Sequence, residues 1–450
     1  MAEAKEALPL VVEEPDVLER IVSLFERRGR MALVLQLLDE RAQPPCPPAA
    51  ASRIRVRLAE LYLRAFGDLS RAVAACRTAV ELDPGSVEAR AALADMLSKD
   101  PGSADLAVDA HRAVLALDPV RLLSLETLFE IWDSQRMLDR AFCCAAAAAF
   151  LESASPRASH LHLDWRGRLP TEPHARVDET SLELLLHPDA RNPLLGVLRA
   201  VGDHVSKLVP PDFEALGVDP REDRLRSDHP VYRAIRLVAE GFSVDHFDVY
   251  QARRGLMVAE ASDPPSICVG QDVVRRFNSR EQKFLIGRAV FALLGRTALA
   301  GKLPESELAD LLGDCIRVVV PEFDALGQRD DGRVRTLRKL LPRKALRALE
   351  EPAREVAGGP VPDLRRTLQG LFASGNRAGL LVCGDPAVAL TMVLREDPAF
   401  AAGRTPESQE TIVRAVRERA DLRALLNFAV SEELFTLRDR VGPTLPERAI

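Results

Sequence analysis

Apolar residues recur every three to four positions through most of this chain, with charged residues filling the positions between them. That period places one apolar stripe along each of a succession of helices. Up to about Ser155 the stripes come in pairs divided by short turn signals. "DVLERIVSLFERRGRMALVLQLLDERAQPP" predicts one helical hairpin, and "VRLLSLETLFEIWDSQRMLDRAFCCAAAAAFLESAS" predicts another further on. Between them, "GDLSRAVAACRTAVELDPGS" and "GSADLAVDAHRAVLALDPVR" each show a turn followed by a helix that closes in Leu-Asp-Pro. "AQPPCPPAAAS" (Ala42 to Ser52) is predicted to be a loop or a short insertion.

The rhythm breaks over Ser153 to Ser181, which sets a helical domain at 1–155, a linker at 156–180 and a second domain at 181–450. "SLELLLHPDARNPLLGVLRAVGDHVSKLV" returns to helix, with Ser181 as the start and "HPDARNP" as a turn. "FSVDHFDVYQARR" alternates as a strand does, and "GLMVAEASDPPSICVGQDVVRRF" predicts a β-hairpin. "NSREQKFLIGRAVFALLGRTAL" predicts a long helix capped by Asn278 or Ser279, with Glu281 in its first turn. "LRALLNFAVSEELFTLRDRVG" predicts an amphipathic helix pair. The fold class expected is mainly α: a helical-hairpin array followed by a mostly helical α+β domain with a small hairpin or sheet.

Composition narrows the class. The chain has 450 residues, 47% hydrophobic and only 5% aromatic, and its abundant alanine, leucine and arginine favour helices. A net charge of −6 is too mild to imply a polyanionic partner for the whole protein. Seven cysteines without paired spacing indicate free buried thiols in a reducing compartment. The opening "MAEAKEALPLVVEEPD" does not read as a secretory signal, and the apolar run "CCAAAAAFL" is too short to span a bilayer. The expectation is a cytoplasmic protein without a membrane span.

The two central hairpins also match position by position. Gly67, Ala72, Ala79 and Pro84 return 35 residues on as Gly102, Ala107, Val114 and Pro119. This pattern resembles the tetratricopeptide repeats, whose period is about 34 residues. The small residues sit where the helices approach, the glycine lies in the turn, and the proline ends each unit. The alternative is an accidental coincidence within a generic helical bundle. The resemblance implies stacked hairpins with a concave surface that binds one or more proteins.

A second resemblance starts at "FLIGRAVFALLG". Hairpin, capped helix and this segment resemble the HtpX-like and CAAX-prenyl-protease-like zinc metallopeptidases, a gluzincin-like frame. Their helix carries Gly-His-Glu-x-x-His. The resemblance places Arg288 at the first histidine ligand, Ala289 at the general-base glutamate and Ala292 at the second histidine. Further on, "LFASGNRAGLLVCGDPAVAL" is similar to the family's Glu-x-x-x-Asp-Arg-x-Gly-Leu helix. The third ligand falls on Phe372, and Asn376-Arg377 stands for Asp-Arg. Catalytic zinc needs three N, O or S ligands and an open position. None of the four matched positions supplies one, so the resemblance implies a degenerate, non-catalytic domain without cofactor or metal. A pocket there would have Arg288, Ala289, Ala292, Phe372, Asn376 and Arg377 around it, and its arginine would bind a carboxylate or pair within the chain. In overall style the chain is similar to myxobacterial multi-repeat proteins with such a C-terminal domain.

Three other features carry candidate chemistry. His160 and His162, two apart, fit one side of a surface strand. With His174 and His246 they are the imidazoles available to an unorthodox metal site, although no acid or thiol stands at ligand spacing. "GRVRTLRKLLPRKALRAL" holds Arg333, Arg335, Arg338, Lys339, Arg343, Lys344 and Arg347 with no acid, split by Pro342. It is a solvated face, or it meets an acidic protein surface. No aromatic is interleaved for nucleic-acid stacking, which makes a nucleic-acid partner the weaker alternative. Cys383 has no histidine beyond His246 to activate it, and a helix end followed by a new helix near Pro386 explains its surroundings. The expected function is a non-catalytic scaffold or adaptor that recruits proteins. The alternatives are a hydrolase with non-standard ligands and, third, a nucleic-acid-binding regulator using 333–347.

Overall fold

The computed structural model describes Ser23, Phe25 and residues 27–170, 175–400 and 408–445. The chain is mainly helical, with one three-stranded sheet. It divides into two compact units, Met1–Met137 and Leu138–Ile450. That division falls inside the stretch expected to form the last helical hairpin.

The first unit holds α1 (Met31–Arg41), α2 (Pro48–Phe66), α3 (Leu69–Leu82), α4 (Val87–Leu97), α5 (Ala104–Leu117) and α6 (Leu122–Ser134). α2 and α3 pair as a hairpin, α4 and α5 pair as the next, and α3 packs on α4. Gly67 turns the first hairpin at φ 65°, a left-handed conformation that an L side chain resists. Asp68 then accepts from the Arg71 amide to start α3, and Ser86 accepts from Ala89 to start α4. Ala72, Ala79, Ala107 and Val114, the small residues of the matched offsets, are all fully buried. A larger side chain at any of them would force the helices apart. The loop expected at 42–52 is shorter than the composition suggests. Pro48 occupies the first turn of α2, where its missing N–H costs nothing, so the loop closes at Pro47. The helix expected before Gly29 lies largely outside the described residues.

The second unit opens with α7 (Leu138–Phe150) and α8 (Pro156–Arg166), followed by α9 (Glu179–Leu185), α10 (Pro193–Val201), the single turn α11 (Phe213–Leu216) and α12 (Pro230–Gly241). The segment with His160 and His162 is therefore helix, correcting the expected linker or surface strand. Ser155 caps it and Pro156 begins it, while Ala158, Leu161 and His162 recur at helical spacing on its buried side. α9 starts at Glu179 and not at Ser181, because Asp178 is the cap and takes the Ser181 amide at 2.8 Å. "HPDARNP" forms the expected turn, with Asn192 capping α10.

β1 (Asp248–Ala252), β2 (Met257–Glu260) and β3 (Ser266–Gly270) form the sheet in the order β1-β3-β2. β2 and β3 are the expected hairpin, and β1 runs parallel to β3 on its other side. After the turn α13 (Val273–Arg276) come α14 (Ser279–Leu294), α15 (Glu305–Val319), α16 (Asp331–Leu340), α17 (Arg343–Gly358), α18 (Leu364–Cys383) and α19 (Pro386–Leu394). α20 (Gln409–Glu418), α21 (Ala420–Ala429) and α22 (Glu432–Val441) complete the unit. No helix among the described residues is long and apolar enough to cross a membrane.

α14 and α18 cross at the centre of this unit, with β2 against α14 and α21 against α18. A buried ion pair secures the periphery. Arg438 of α22 grips Asp139 of α7 through two 2.6 Å hydrogen bonds, and Asp139 also accepts from the Leu445 amide. Arg438 donates as well to the Gly384 carbonyl at 2.8 Å.

Candidate functional site: a cleft beside a free strand edge

The site is built on the crossing of α14 and α18. α14 begins with a full capping box, in which Asn278 takes the Glu281 amide and the Glu281 carboxylate takes the Asn278 amide. The helices then meet at two glycines. A methyl group on Gly287 would lie 2.8 Å from the Ala378 carbonyl oxygen, and one on Gly379 would lie 2.7 Å from the Phe284 ring. The glycines of "FLIG" and "RAGLL" thus have a packing reason: only hydrogen fits between the backbones there.

This crossing brings Arg288, Ala289 and Ala292 of α14 and Phe372 of α18 onto a single cavity of about 400 Å³. All four positions matched to the peptidase ligands and base line it. Small residues surround them, including Ala259, Ala298, Gly301 and Gly375. Asn376 and Arg377 are not in the lining. Asn376 is buried, with no partner for its Oδ1. Arg377 donates to the Leu186 carbonyl at 3.1 Å and stacks 4.4 Å from the Phe428 ring centre, and burial lowers its pKa to about 10.

Four of the five charged residues that line the cavity are tied in pairs, and the fifth, Asp212, forms no ion pair among the described residues. Arg288 is bound to Glu396 and lies over the Phe284 ring. Lys302 reaches Glu260 at 2.9 Å and the Pro210 carbonyl at 2.6 Å. The carboxylates of Glu260 and Glu396 are therefore each engaged by a cation, and among the described residues no imidazole or thiol lines the space. Its rim is apolar: Leu256, Val258 and Phe372 are exposed.

The remaining wall is β2, whose outer edge pairs with no strand among the described residues. The Gly270 amide donates to the Leu256 carbonyl, and antiparallel pairs alternate between bonded and non-bonded. Val258 and Glu260 therefore face β3 with their main-chain groups. The N–H and C=O of Met257 and Ala259 face outward along the cleft. Sequence reasoning missed this edge and the Lys302–Glu260 pair. The predicted hairpin gave the strands, but only tertiary packing shows which edge stays open.

The other candidate groups lie elsewhere. His160 is exposed beside Asp164, while His162 is buried with Nε2 3.3 Å from both Asp385 oxygens and its ring against Phe142. His246 is exposed, and His174 lies outside the described residues. Among the described residues, no group of three or more His, Cys, Asp or Glu is arranged to hold a metal. Cys383 is buried with its pKa pushed up to about 12, so it stays a thiol. The basic stretch forms α16 and the start of α17, divided at Pro342 as expected.

The first unit has its own groove, about 610 Å³, bounded by α4, α5 and α6 with Asp95, Ser98, Lys99, Leu123 and Ile131 in its walls. Behind it lies a fully buried histidine, His111. Ser98 Oγ donates to the Ala94 carbonyl, so it accepts from His111 Nε2 at 2.8 Å. With the proton of the neutral ring on Nε2, Nδ1 accepts from Ser124 Oγ at 3.0 Å, and that hydroxyl accepts from Arg121 at 2.7 Å. Arg121 in turn holds Asp95 at 2.8 Å. The ring is thereby fixed as the neutral Nε2–H tautomer, and desolvation lowers its pKa from 6.5 to about 4.

No known family model matches the chain, and no curated protein matches it in sequence.

Proposed function

We propose that this protein is a non-catalytic adaptor, and that its second unit holds an extended peptide segment in the cleft beside β2. One observation carries the reading. The positions matched to a peptidase's ligands and base converge on one cavity, and there they present an ion-paired arginine, two alanines and a phenylalanine. What the cleft retains is suited to binding. Outward main-chain groups of Met257 and Ala259 accept a strand by edge addition. The small-residue walls leave space for a bulky apolar side chain, and Phe372 and Val258 cover it. The tetratricopeptide-like unit supplies a second protein-binding surface, supported by its stacked hairpins and open groove.

The test is selection of a displayed random peptide library on the full chain. Enrichment of extended, apolar sequences is expected, and it should be lost on Ala259→Pro, which removes one outward N–H, and on Phe372→Asp. Enrichment that survives both variants in a folded protein refutes the cleft as the binding site. Metal analysis after purification without chelators tests the hydrolase alternative: one zinc per chain, with peptide turnover, would replace the adaptor reading.

A further inference from the structure

The basic helices carry an inference independent of the cleft. Arg333 is spent within the fold, bound to the fully buried Asp314 at 2.6 Å. The other six cations, Arg335, Arg338, Lys339, Arg343, Lys344 and Arg347, are exposed. Arg335 and Arg338 reach only main-chain carbonyls, those of Asp331 and Val318. Among the described residues none of the six forms an ion pair, whereas nearby surface arginines do, Arg354 with Glu350 and Arg365 with Glu305. Leu337, Leu341, Ala345 and Leu349 are buried and anchor the opposite sides of both helices.

The order of charge along α17 runs against helix stability. Arg343, Lys344 and Arg347 occupy its first turns, where the helix dipole is already positive and acids are favoured. No acid stands in that first turn and no side chain caps it. The acids Glu350, Glu351 and Glu355 follow only later in the helix. The dipole thus adds to the field of the side chains, and the stability forgone is concentrated on one exposed face.

We propose that this face docks an acidic segment of a partner protein, a short run rich in Asp and Glu. Charge complementarity selects the occupant, and arginine forks suit carboxylates in two-point contact. The chain as a whole carries −6, so a long polyanion meets repulsion outside the patch, while a short acidic segment stays within it. No large exposed hydrophobic lies on either helix, which leaves nothing for bases to stack on and nothing to insert into a bilayer.

The test is fluorescence anisotropy with the full chain and a labelled Glu/Asp-rich peptide of about twenty residues, at low salt and at about 0.15 M salt, where screening is strong. Saturable binding is expected, weakening by about tenfold or more with salt. A similar loss is expected with the triple reversal Arg343→Glu, Lys344→Glu and Arg347→Glu, as rim charges act through steering and partner choice. The melting temperature of that variant should hold or rise, since acids suit the start of α17. Should the reversal fail to fold, Arg343→Gln with Lys344→Gln makes the same comparison with a smaller loss. Absence of peptide binding at low salt overturns the proposal. So does unchanged peptide affinity in a folded variant, or equal or tighter binding of a charge-matched duplex DNA or of anionic lipid vesicles.

Discussion

His111 offers the most exacting test of the first unit. Its two ring nitrogens are committed to Ser98 and Ser124. In the neutral ring Nε2 donates to Ser98 while Nδ1 takes the Ser124 proton, so a second ring proton would displace the Ser124 hydroxyl proton from Nδ1. Desolvation dominates the depression of its pKa; Asp95 opposes it and Arg121 adds to it. In the unfolded chain the imidazole takes up its proton near 6.5, while in the folded one it does so only near 4. Between these values the unfolded state binds more protons, so stability falls as pH is lowered from 6.5 to 4 and this contribution levels off below. A difference of that size corresponds to about 3 kcal/mol, a large part of the stability of a small unit. Only two tryptophans are present, so a Trp165→Phe background leaves Trp132 as the reporter of the first unit. Urea unfolding followed by Trp132 fluorescence across pH 4 to 7, compared between that background and its His111→Gln derivative, isolates the effect. The slope in the background should exceed that of the derivative through this window. Equal slopes, or an imidazole resonance titrating near its ordinary value in the folded protein, would refute the reasoning.

Other perturbations follow from the second unit. Gly379→Ala should destabilise by about 1–3 kcal/mol, because a methyl group there meets the Phe284 ring. Gly375→Ala, on the same helix with open space at that position, should be neutral or stabilising by up to about 1 kcal/mol; matching melts for the two would undo the packing account of the crossing. Asp139→Ala leaves the Arg438 guanidinium buried without its carboxylate and should cost about 3–5 kcal/mol in chemical denaturation, with a much smaller loss if Arg438→Met accompanies it. Of the seven cysteines only Cys46 is not buried, so an aromatic disulfide reagent at pH 8 should titrate one thiol rapidly and the others only after denaturant is added.

Local rules were readable where a few adjacent residues decide the structure. The helix start at Asn278 or Ser279, the break at Pro342, the Gly67 turn and the helix restart near Pro386 are short-range events. α8 was obscured because two histidines, a tryptophan and two arginines dilute an apolar stripe of Ala158 and Leu161. The site was only partly legible. Arg288, Ala289 and Ala292 fall within five residues on one helix, yet the pairing of Arg288 with Glu396 spans 108 residues and that of Lys302 with Glu260 spans 42. Nothing in the surrounding sequence ranks those partners above other acids. The outward edge of β2 depends on which element covers the sheet, a property of the assembled unit.

The Asp139–Arg438 clasp bears on how the protein is made. Its partners are 299 residues apart, and both are removed from water. During synthesis α7 leaves the ribosome long before its cation exists, and its carboxylate must stay hydrated until α22 arrives. At typical elongation rates of about 5–20 residues per second, that delay is on the order of 15–60 seconds. The first unit, joined by neighbouring hairpins, meets no such wait and can settle while translation continues. A cell making this protein therefore holds a chain whose early part is finished and whose later part is still open with apolar helices exposed. During that interval chaperone occupancy, rather than final stability, would govern yield.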